Sequence, residues 1–480
     1  MTVDVDIQDP EPKTTAMRFQ VLKTALKDAA ATARPGRLSF PGRRPIETPN
    51  YIAVTSRGCL PHLTPDNVAK HIKSSGTYMS LEDFIEKPQQ YASRVPPIYA
   101  TPTSSKHPTP LHSFTAMPSF ITTILGARRI PAVPSPMGNT NKSISVFTNT
   151  GFQPLTTADY LSAVDTLKPD IAIPLSDLTN ANITPNSKRA LRMAERTEDW
   201  MISWFSSPDS SSTATFAPVL PISYPMQWEY LARLAEDYVP NSQLSGLAIY
   251  DPSLLPDLPS PLLPLPRLSL SPPTTPHQIL THISLGIDLF TLPFINTISD
   301  AGIALDFTFP APPPSSSLLP LGTDISDPSF SKSVTPLSSN CECHACASHS
   351  TAYVQHLLAA REMLGWTLLQ IHNHHVLSKF FSGIRHILEN GTEEDLEKAR
   401  NDFLRVYEPD FPAGHAEKPR ARGYQYKSVG GGEPKKNKPA WGKLGPDADG
   451  NVGGEEGVET PVVPAGREVE EKGFAEGVKE

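Results

Sequence analysis

The ten residues CECHACASHS, Cys341–Ser350, hold three of the chain's four cysteines within six positions. In a Cys-x-Cys-x-x-Cys loop, disulfides between near neighbours would be strained. Three thiolates converging from one loop suit a soft tetrahedral metal, usually zinc. The competing reading is three unligated thiols. A fourth ligand must come from elsewhere, and His344, His349, His356, His372, His374 and His375 are the candidates. The segment STAYVQHLLAAREMLGWTLLQIHNHHVLSKFFSGIRHIL (Ser350–Leu388) reads as two helical stretches, with an interruption expected near Gly365. On the second, Leu369, His372, Val376 and Phe380 fall at helical spacing along one apolar face. That turns His372 inward and leaves His374 and His375 off the stripe. An inward His372 is either a ligand or an ordinary buried histidine with a hydrogen-bond partner. Four protein ligands leave no open position for water or substrate, so a metal held this way is structural.

The rest of the chain sets limits. Its 480 residues can bury a large core, as two or three domains or as one big barrel with additions. Only 38% are hydrophobic and 52 are proline, so Pro-rich segments interrupt a globular chain. A net charge of −8 argues against wholesale polyanion binding, although a local basic patch can still touch RNA. The opening MTVDVDIQDPEPKTT is acidic and lacks the apolar core of a signal peptide. No stretch reaches the ~18 consecutive apolar residues of a membrane span. Four cysteines are too few for a disulfide framework, and a soluble protein of a reducing, cytoplasmic compartment is expected.

Several apolar runs bounded by turn residues fit strands buried on both faces, as in a parallel sheet. They are NYIAVTS (Asn50–Ser56), SISVFTN (Ser143–Asn149), DIAIPLS (Asp170–Ser176), FAPVLPIS (Phe216–Ser223), LSGLAIYD (Leu244–Asp251) and GIDLFTLPF (Gly286–Phe294). Helical patterns lie between them at Thr156–Leu167, Ser187–Phe205 and Met226–Tyr238, the first opened by a Thr-x-x-Asp cap. This alternation predicts a (β/α) barrel or a doubly wound sheet. Two proline-dense stretches, Asp251–Pro276 and Phe309–Pro336, are read as inserts without regular helices or central strands. From about Ala413 the chain turns to Gly, Lys, Glu and Pro, a composition too poor in apolar residues to fold. The triplet in GGGEP (Gly430–Pro434) follows no strand and precedes no helix, so it is a linker rather than a phosphate loop. Cys59 and His62 are assigned to packing.

The spacing of Cys341, Cys343, Cys346 and His372-Asn373 resembles the zinc motif of the queuine/archaeosine tRNA-guanine transglycosylases. The likeness extends through ARPGRLSFPGRRPIETPNYIAVTSRG (Ala33–Gly58), LKPDIAIPLSD (Leu167–Asp177), SGLAIYD (Ser245–Asp251) and GIDLFTLPFINTISDAGIALDF (Gly286–Phe307). It covers roughly residues 17 to 410 outside the Pro-rich stretches. The resemblance implies an α/β fold, a (β/α)8 TIM barrel with an inserted zinc-binding subdomain, followed here by a disordered tail. The expected boundaries are a flexible 1–16, a barrel over 17–308 with an insert at about 251–276, a Pro/Ser-rich insert over 309–340, the zinc subdomain and last helices over 341–411, and a tail over 412–480. It also implies one structural Zn2+ on Cys341, Cys343, Cys346 and His372.

Enzymes of that family exchange a guanine of tRNA for a 7-deazaguanine through a covalent enzyme–RNA intermediate. The chemistry needs a carboxylate nucleophile, a second carboxylate as general acid/base, and groups that grip the base. In this chain those positions are changed. The nucleophile's position after the Phe of GIDLF is Thr291. The family's Asp-Ser-Gly-Gly-Phe-Gln stretch is absent, the corresponding region being GTYMSLEDFIE (Gly76–Glu86). The base-gripping aspartate maps to Ser176, a loop glycine to Tyr250, and two tRNA-contacting arginines to Thr297 and Asp300. A kept zinc motif beside a lost active site resembles the non-catalytic branch of the eukaryotic queuine tRNA-ribosyltransferases. The resemblance then implies no catalytic residue in this chain, a heterodimer with a catalytic paralogue, contact with tRNA through that complex, and membrane association only through a partner. Two alternatives stand beside it: an independently active enzyme using displaced carboxylates such as Asp251 and Asp288, and a zinc-stabilised adaptor without a tRNA role.

Overall fold

Short apolar and β-branched runs build the centre of the molecule. The computed structural model describes residues 17–23, 32–86, 95–135, 138–148, 150–179, 184–207, 213–314 and 316–416. Eight runs in it are barrel strands: β1 (Asn50–Val54), β2 (Gly76–Ser80), β3 (Thr122–Gly126), β4 (Ile171–Ala172), β5 (Ala214–Val219), β6 (Gly246–Ile249), β7 (Arg267–Ser269) and β8 (Leu289–Thr291). They pair in parallel in chain order, and β8 closes the ring on β1.

Alternation along each strand separates two cores. Ile52, Tyr78, Ile124, Ile171, Phe216, Ala248, Leu268 and Leu289 fill the barrel. Their neighbours, among them Tyr51, Met79, Leu125, Leu247 and Phe290, face the helix layer. Both faces are dry, so several of these strands read as continuous apolar runs. The helices of that layer are α1 (Pro65–His71), α2 (Pro110–Thr115), α3 (Thr157–Leu167), α4 (Ser187–Phe205), α5 (Tyr224–Arg233), α6 (Pro276–Ser284) and α7 (Phe294–Asp300). Thr156 caps α3 as its sequence predicts, accepting the Asp159 N–H at 3.1 Å. At the amino end of the barrel, an antiparallel sheet of Arg18–Val21, Gly36–Ser39 and Ile46–Thr48 sends Leu38 and Ile46 into the inner core.

Three expectations are corrected here. The proline-dense stretch at 251–276 is not an insert without a central strand, because it contains β7. Its prolines fall outside the strand: Pro252 and Pro261 open 3-10 turns, and Pro266 precedes Arg267. The three strand residues therefore keep every N–H, and all are buried. SISVFTN is a strand but not of the barrel; Ser143–Thr148 forms an antiparallel hairpin with Gly151–Thr156. The second Pro-rich stretch also contains structure, since Gly322–Asp324 pairs antiparallel with Ile303–Leu305.

The last part of the fold comprises α8 (His344–Ser348), α9 (Thr351–Ala359), α10 (Met363–Asn390) and α11 (Glu393–Val406). The break expected near Gly365 falls earlier, at Arg361, whose φ of 57° is left-handed, and Gly365 lies inside α10. Residues 412–416, counted by composition with the tail, are held on the folded part: the His415 backbone N–H and Nδ1 meet Asp324 Oδ2 at 3.0 and 2.9 Å. The expected flexible 1–16 and the tail beyond residue 416 lie outside the described residues. No helix among the described residues is long and apolar enough to cross a membrane.

Asp288 precedes β8, which puts it at the amino end of the barrel and not at the end where TIM-barrel chemistry occurs. Its carboxylate is 1% exposed, bidentate to Arg34 at 3.0 and 2.7 Å, and accepts the Arg267 N–H at 2.9 Å. It fastens the N-terminal segment to the start of β7 and β8. Removing one partner of such a pair strands a buried guanidinium, so Asp288→Ala is expected to cost roughly 3–5 kcal/mol in urea unfolding. A loss below about 1 kcal/mol, the range of an exposed pair, would contradict this role.

Candidate metal centre and the barrel mouth

Cys343 ends the loop and caps α8, its Sγ accepting the Cys346 N–H at 3.4 Å. That turn brings the three sulfurs to one side, facing α10. Cys341, Cys343 and Cys346 Sγ lie 3.6, 3.5 and 3.3 Å from His372 Nδ1, and all four donor atoms fall within 4.8 Å of one another. A tetrahedral zinc with Zn–S of about 2.3 Å and Zn–N of about 2.1 Å has S···N edges of about 3.6 Å. The donor set therefore fits a tetrahedral soft metal and could hold one.

Two further features support the fit. His372 is fully buried, and its Nε2 hydrogen-bonds to the Leu305 carbonyl at 2.8 Å. That bond places the proton on Nε2 and leaves the Nδ1 lone pair for the cluster, the usual arrangement behind a metal-bound histidine. The thiols also perturb one another. Hydrogen bonds from Cys343 and Cys346 take Cys341 far below an ordinary thiol, while those with Cys341 and Cys346 take Cys343 far above it. Three thiolates at this spacing would need a cation among them; without one Cys343 keeps its proton.

Of the other candidate histidines, none joins the cluster. His344 and His349 lie close together beside it, with ring centroids 5.6 Å apart, and His344 stacks on His71 at 4.7 Å. His374, read as lying off the apolar stripe, is nevertheless buried, with Nδ1 3.0 Å from the Tyr51 hydroxyl. The stripe predicted one buried face, but α10 is covered on two sides: by the cysteine loop at His372 and by β1 at His374.

The carboxyl mouth of the barrel is occupied by its own side chains. Thr291 is fully buried and donates its hydroxyl to the Ser269 carbonyl at 2.9 Å. Tyr250 follows Ala248 on the inward face of β6, and its hydroxyl is 3.3 Å from Ser176 Oγ. Asp300 pairs with His62 Nε2 at 2.6 Å, so His62 has a partner beyond simple packing. The carboxylates here are engaged. Glu82, 1% exposed, accepts from Arg129 N and Nε at 2.8 and 2.9 Å and from Phe147 N at 2.7 Å. Burial pushes its carboxyl above the ordinary range, against the pull of Arg129. Asp83 takes Arg129 at 2.9 Å and Ser80 Oγ at 2.8 Å. Asp177 takes Arg189 and Arg196, each at 2.9 Å. Asp251 accepts from Ser253 N and Oγ at 3.0 and 2.7 Å, capping a 3-10 turn. Arg128 and Arg129 were not singled out from sequence, although a charged pair just beyond the end of a barrel strand is a signal for mouth residues. A surface cleft of about 450 Å3, lined by Asp324, Asp327, Leu358, Arg361 and His415 among others, includes none of these groups.

The metal-centre geometry predicts that the purified chain retains one tightly held soft metal by elemental analysis. Cys343→Ala should abolish retention and lower the melting midpoint by roughly 5 °C or more, because metal-binding free energy here is folding free energy. A metal-free variant that melts like the parent would count against a structural role.

The family model described as queuine tRNA-ribosyltransferase matches residues 28–409. A Schizosaccharomyces pombe protein named Queuine tRNA-ribosyltransferase accessory subunit 2 is 35% identical over 408 residues, covering 82% of this chain and 86% of that protein. Proteins of the same name from Anopheles gambiae and Drosophila pseudoobscura pseudoobscura are 25% identical over 418 residues and 28% over 396. The first alignment covers 82% of this chain and 92% of the relative, the second 77% and 88%. With that family model matching most of the chain and a relative 35% identical over 82% of it, the chain belongs to the queuine tRNA-ribosyltransferase family.

Proposed function

We propose that this chain is the non-catalytic subunit of a heteromeric queuine tRNA-ribosyltransferase, supporting exchange of guanine for queuine at the tRNA wobble position by a catalytic paralogue. The observation that carries the reading is the state of Thr291. Where the family resemblance calls for a nucleophilic carboxylate, a buried hydroxyl is spent on the Ser269 carbonyl. The Ser269 carbonyl, its hydrogen-bond partner among the described residues, cannot serve as a base, and a nucleophile needs an activating partner within hydrogen-bond reach. Tyr250 adds to this by filling the inward space of β6 beside Ser176. The relatives are themselves named accessory subunits, which supports the same reading.

In this account Cys341, Cys343, Cys346 and His372 hold one Zn2+, whose chemistry is to fix geometry. The protein's part is to present three thiolates and one imidazole already oriented by Leu305. The barrel over 17–308 and the zinc subdomain over 341–411 form the platform for the partner, with tRNA held by the complex in the cytoplasm. Any membrane association then runs through a partner. Asp288 and Asp251, the displaced carboxylates of the rival active reading, are committed to the Arg34 pair and the Ser253 cap. The adaptor reading is separated from this one by activity of the complex.

The test is queuine exchange into a cognate tRNA by the purified chain alone and mixed with its catalytic paralogue. The expected result is no exchange alone, exchange in the mixture, and no effect of Thr291→Ala on the mixture. Exchange by the isolated chain would overturn the non-catalytic assignment, and no contribution to the mixture would overturn the subunit assignment.

A further inference from the structure

The chain after α11 runs as a strap over residues 411–416, and small residues let it lie close to the fold. Phe411 meets the Phe294 ring of α7, with centroids 5.4 Å apart. A Cβ placed on Gly414 would stand 2.3 Å from the Ala301 carbonyl oxygen and 2.7 Å from the Ala301 Cβ, so only glycine fits there. One placed on Gly302, whose φ is 82°, would stand 2.6 Å from the Ala416 Cβ. The Ala416 N–H donates to the Ala301 carbonyl at 3.3 Å. His415 gives its backbone N–H and its Nδ1 to one oxygen of Asp324, at 3.0 and 2.9 Å. Ser326 N and Oγ occupy the other oxygen, at 3.0 and 2.6 Å.

Asp324 ends a strand that leads to the metal centre. Gly322–Asp324 pairs antiparallel with Ile303–Leu305, Asp324 opposite Ile303 and Gly322 opposite Leu305. The Ile325 N–H on the Gly302 carbonyl at 2.9 Å and the Asp306 N–H on the Leu321 carbonyl at 3.0 Å continue the pairing at its two ends. Leu305 carries the carbonyl that orients His372, and Asn373 holds the carbonyl of Ile303. The strap is the loosest member of this series. None of residues 411–416 is buried, and the His415 side chain is 80% exposed. A cleft of about 450 Å3 is lined by His415 and Ala416 of the strap and by Leu358 and Ala359 of α9. Exposed segments with few buried contacts open at the lowest free-energy cost, so the strap can lift while the packed elements stay in place.

We propose that residues 411–416 are a latch on the metal centre. Docked, the strap holds the strand ending at Asp324, and through it the Leu305 carbonyl that fixes His372; lifted, it lowers the affinity of the chain for the metal. The proposal rests on the metal-centre reading and adds a means of regulating it, since anything that pulls on the chain beyond Ala416 acts through this latch. Coupling between two sites is reciprocal, so loss of the metal must loosen the strap by the same factor.

The experiment measures zinc affinity of the full purified chain by competition with a chelator of known affinity, and hydrogen exchange by mass spectrometry with and without zinc. Losing the outer partner of a metal-bound histidine typically costs roughly ten- to a hundredfold in affinity. A strap one step further out passes on part of that, so Gly414→Ala, which lifts the strap from Ala301, should weaken zinc binding by about threefold or more. His415→Ala keeps the backbone bond to Asp324 and should lose less, and Arg192→Gln, exposed on α4, should change nothing. Exchange at 411–416 should quicken when zinc is removed, and exchange at β5 should stay at the parent rate in the Gly414→Ala chain. If Gly414→Ala misfolds, His415→Ala decides, and if zinc removal unfolds the chain, the affinity series decides. A parent chain that holds no zinc overturns the metal-centre reading and the latch together. A parent that holds zinc while both strap variants bind it equally well overturns the latch alone, as does equal loosening of β5, which would make the effect one of general stability.

Discussion

Leu305 gives both of its backbone groups to side chains of α10. Its N–H donates to Asn373 Oδ1 at 2.8 Å and its carbonyl accepts from His372 Nε2 at 2.8 Å. Asn373 also holds Ser299 on α7 and the Ile303 carbonyl, at 2.9 and 3.0 Å. One histidine-asparagine pair therefore joins the last barrel helix, a short sheet and the cysteine loop. Buried backbone groups left without these partners would each cost on the order of 1–3 kcal/mol. A metal on Nδ1 would add to this clamp without altering it, because the other ring nitrogen is already engaged. The next residue, His374, extends the same helix onto Tyr51 of β1. The C-terminal part is in this way continuous with the barrel wall.

The opposite balance holds at the barrel mouth. There the charged groups are used largely against one another: Glu82 and Asp83 on Arg129, Asp177 on Arg189 and Arg196. Catalysis requires a carboxylate that is free to attack or to move a proton, held in productive geometry. Carboxylates spent on buried ion pairs and backbone N–H groups are poorly placed for either. The hairpin Ser143–Thr148/Gly151–Thr156 takes part in this closure, since Glu82 accepts from its Phe147 N–H.

Much of this was legible in the sequence, for identifiable reasons. Of the four clustered residues, three could be picked out because they share a six-residue loop; the apolar stripe with Leu369, Val376 and Phe380 turned His372 inward, and the family resemblance made it the fourth. Strands β1, β4, β5, β6 and β8 announced themselves as apolar runs, dry on both faces. GTYMS and TTILG did not, although both are barrel strands, because hydroxyls and glycine dilute the apolar signal. Strand β7 was hidden by the prolines flanking its three residues. The mouth network was out of reach for another reason: Glu82 and Arg129 are 47 residues apart, and nothing local in either stretch announces the pair. His374 shows the limit of a periodicity argument, because a helix covered on two sides has no single buried stripe.

The most direct test of the central claim is where covalent chemistry occurs. The family resemblance implies a covalent protein–RNA intermediate, which survives denaturation and can be separated by mass. The measurement is to incubate the purified chain, its catalytic paralogue and cognate tRNA, singly and together, and to identify the polypeptide carrying RNA. The account predicts an adduct on the paralogue alone and none on this chain under any condition. An adduct on this chain, mapped to any of its carboxylates, would contradict the account at its centre.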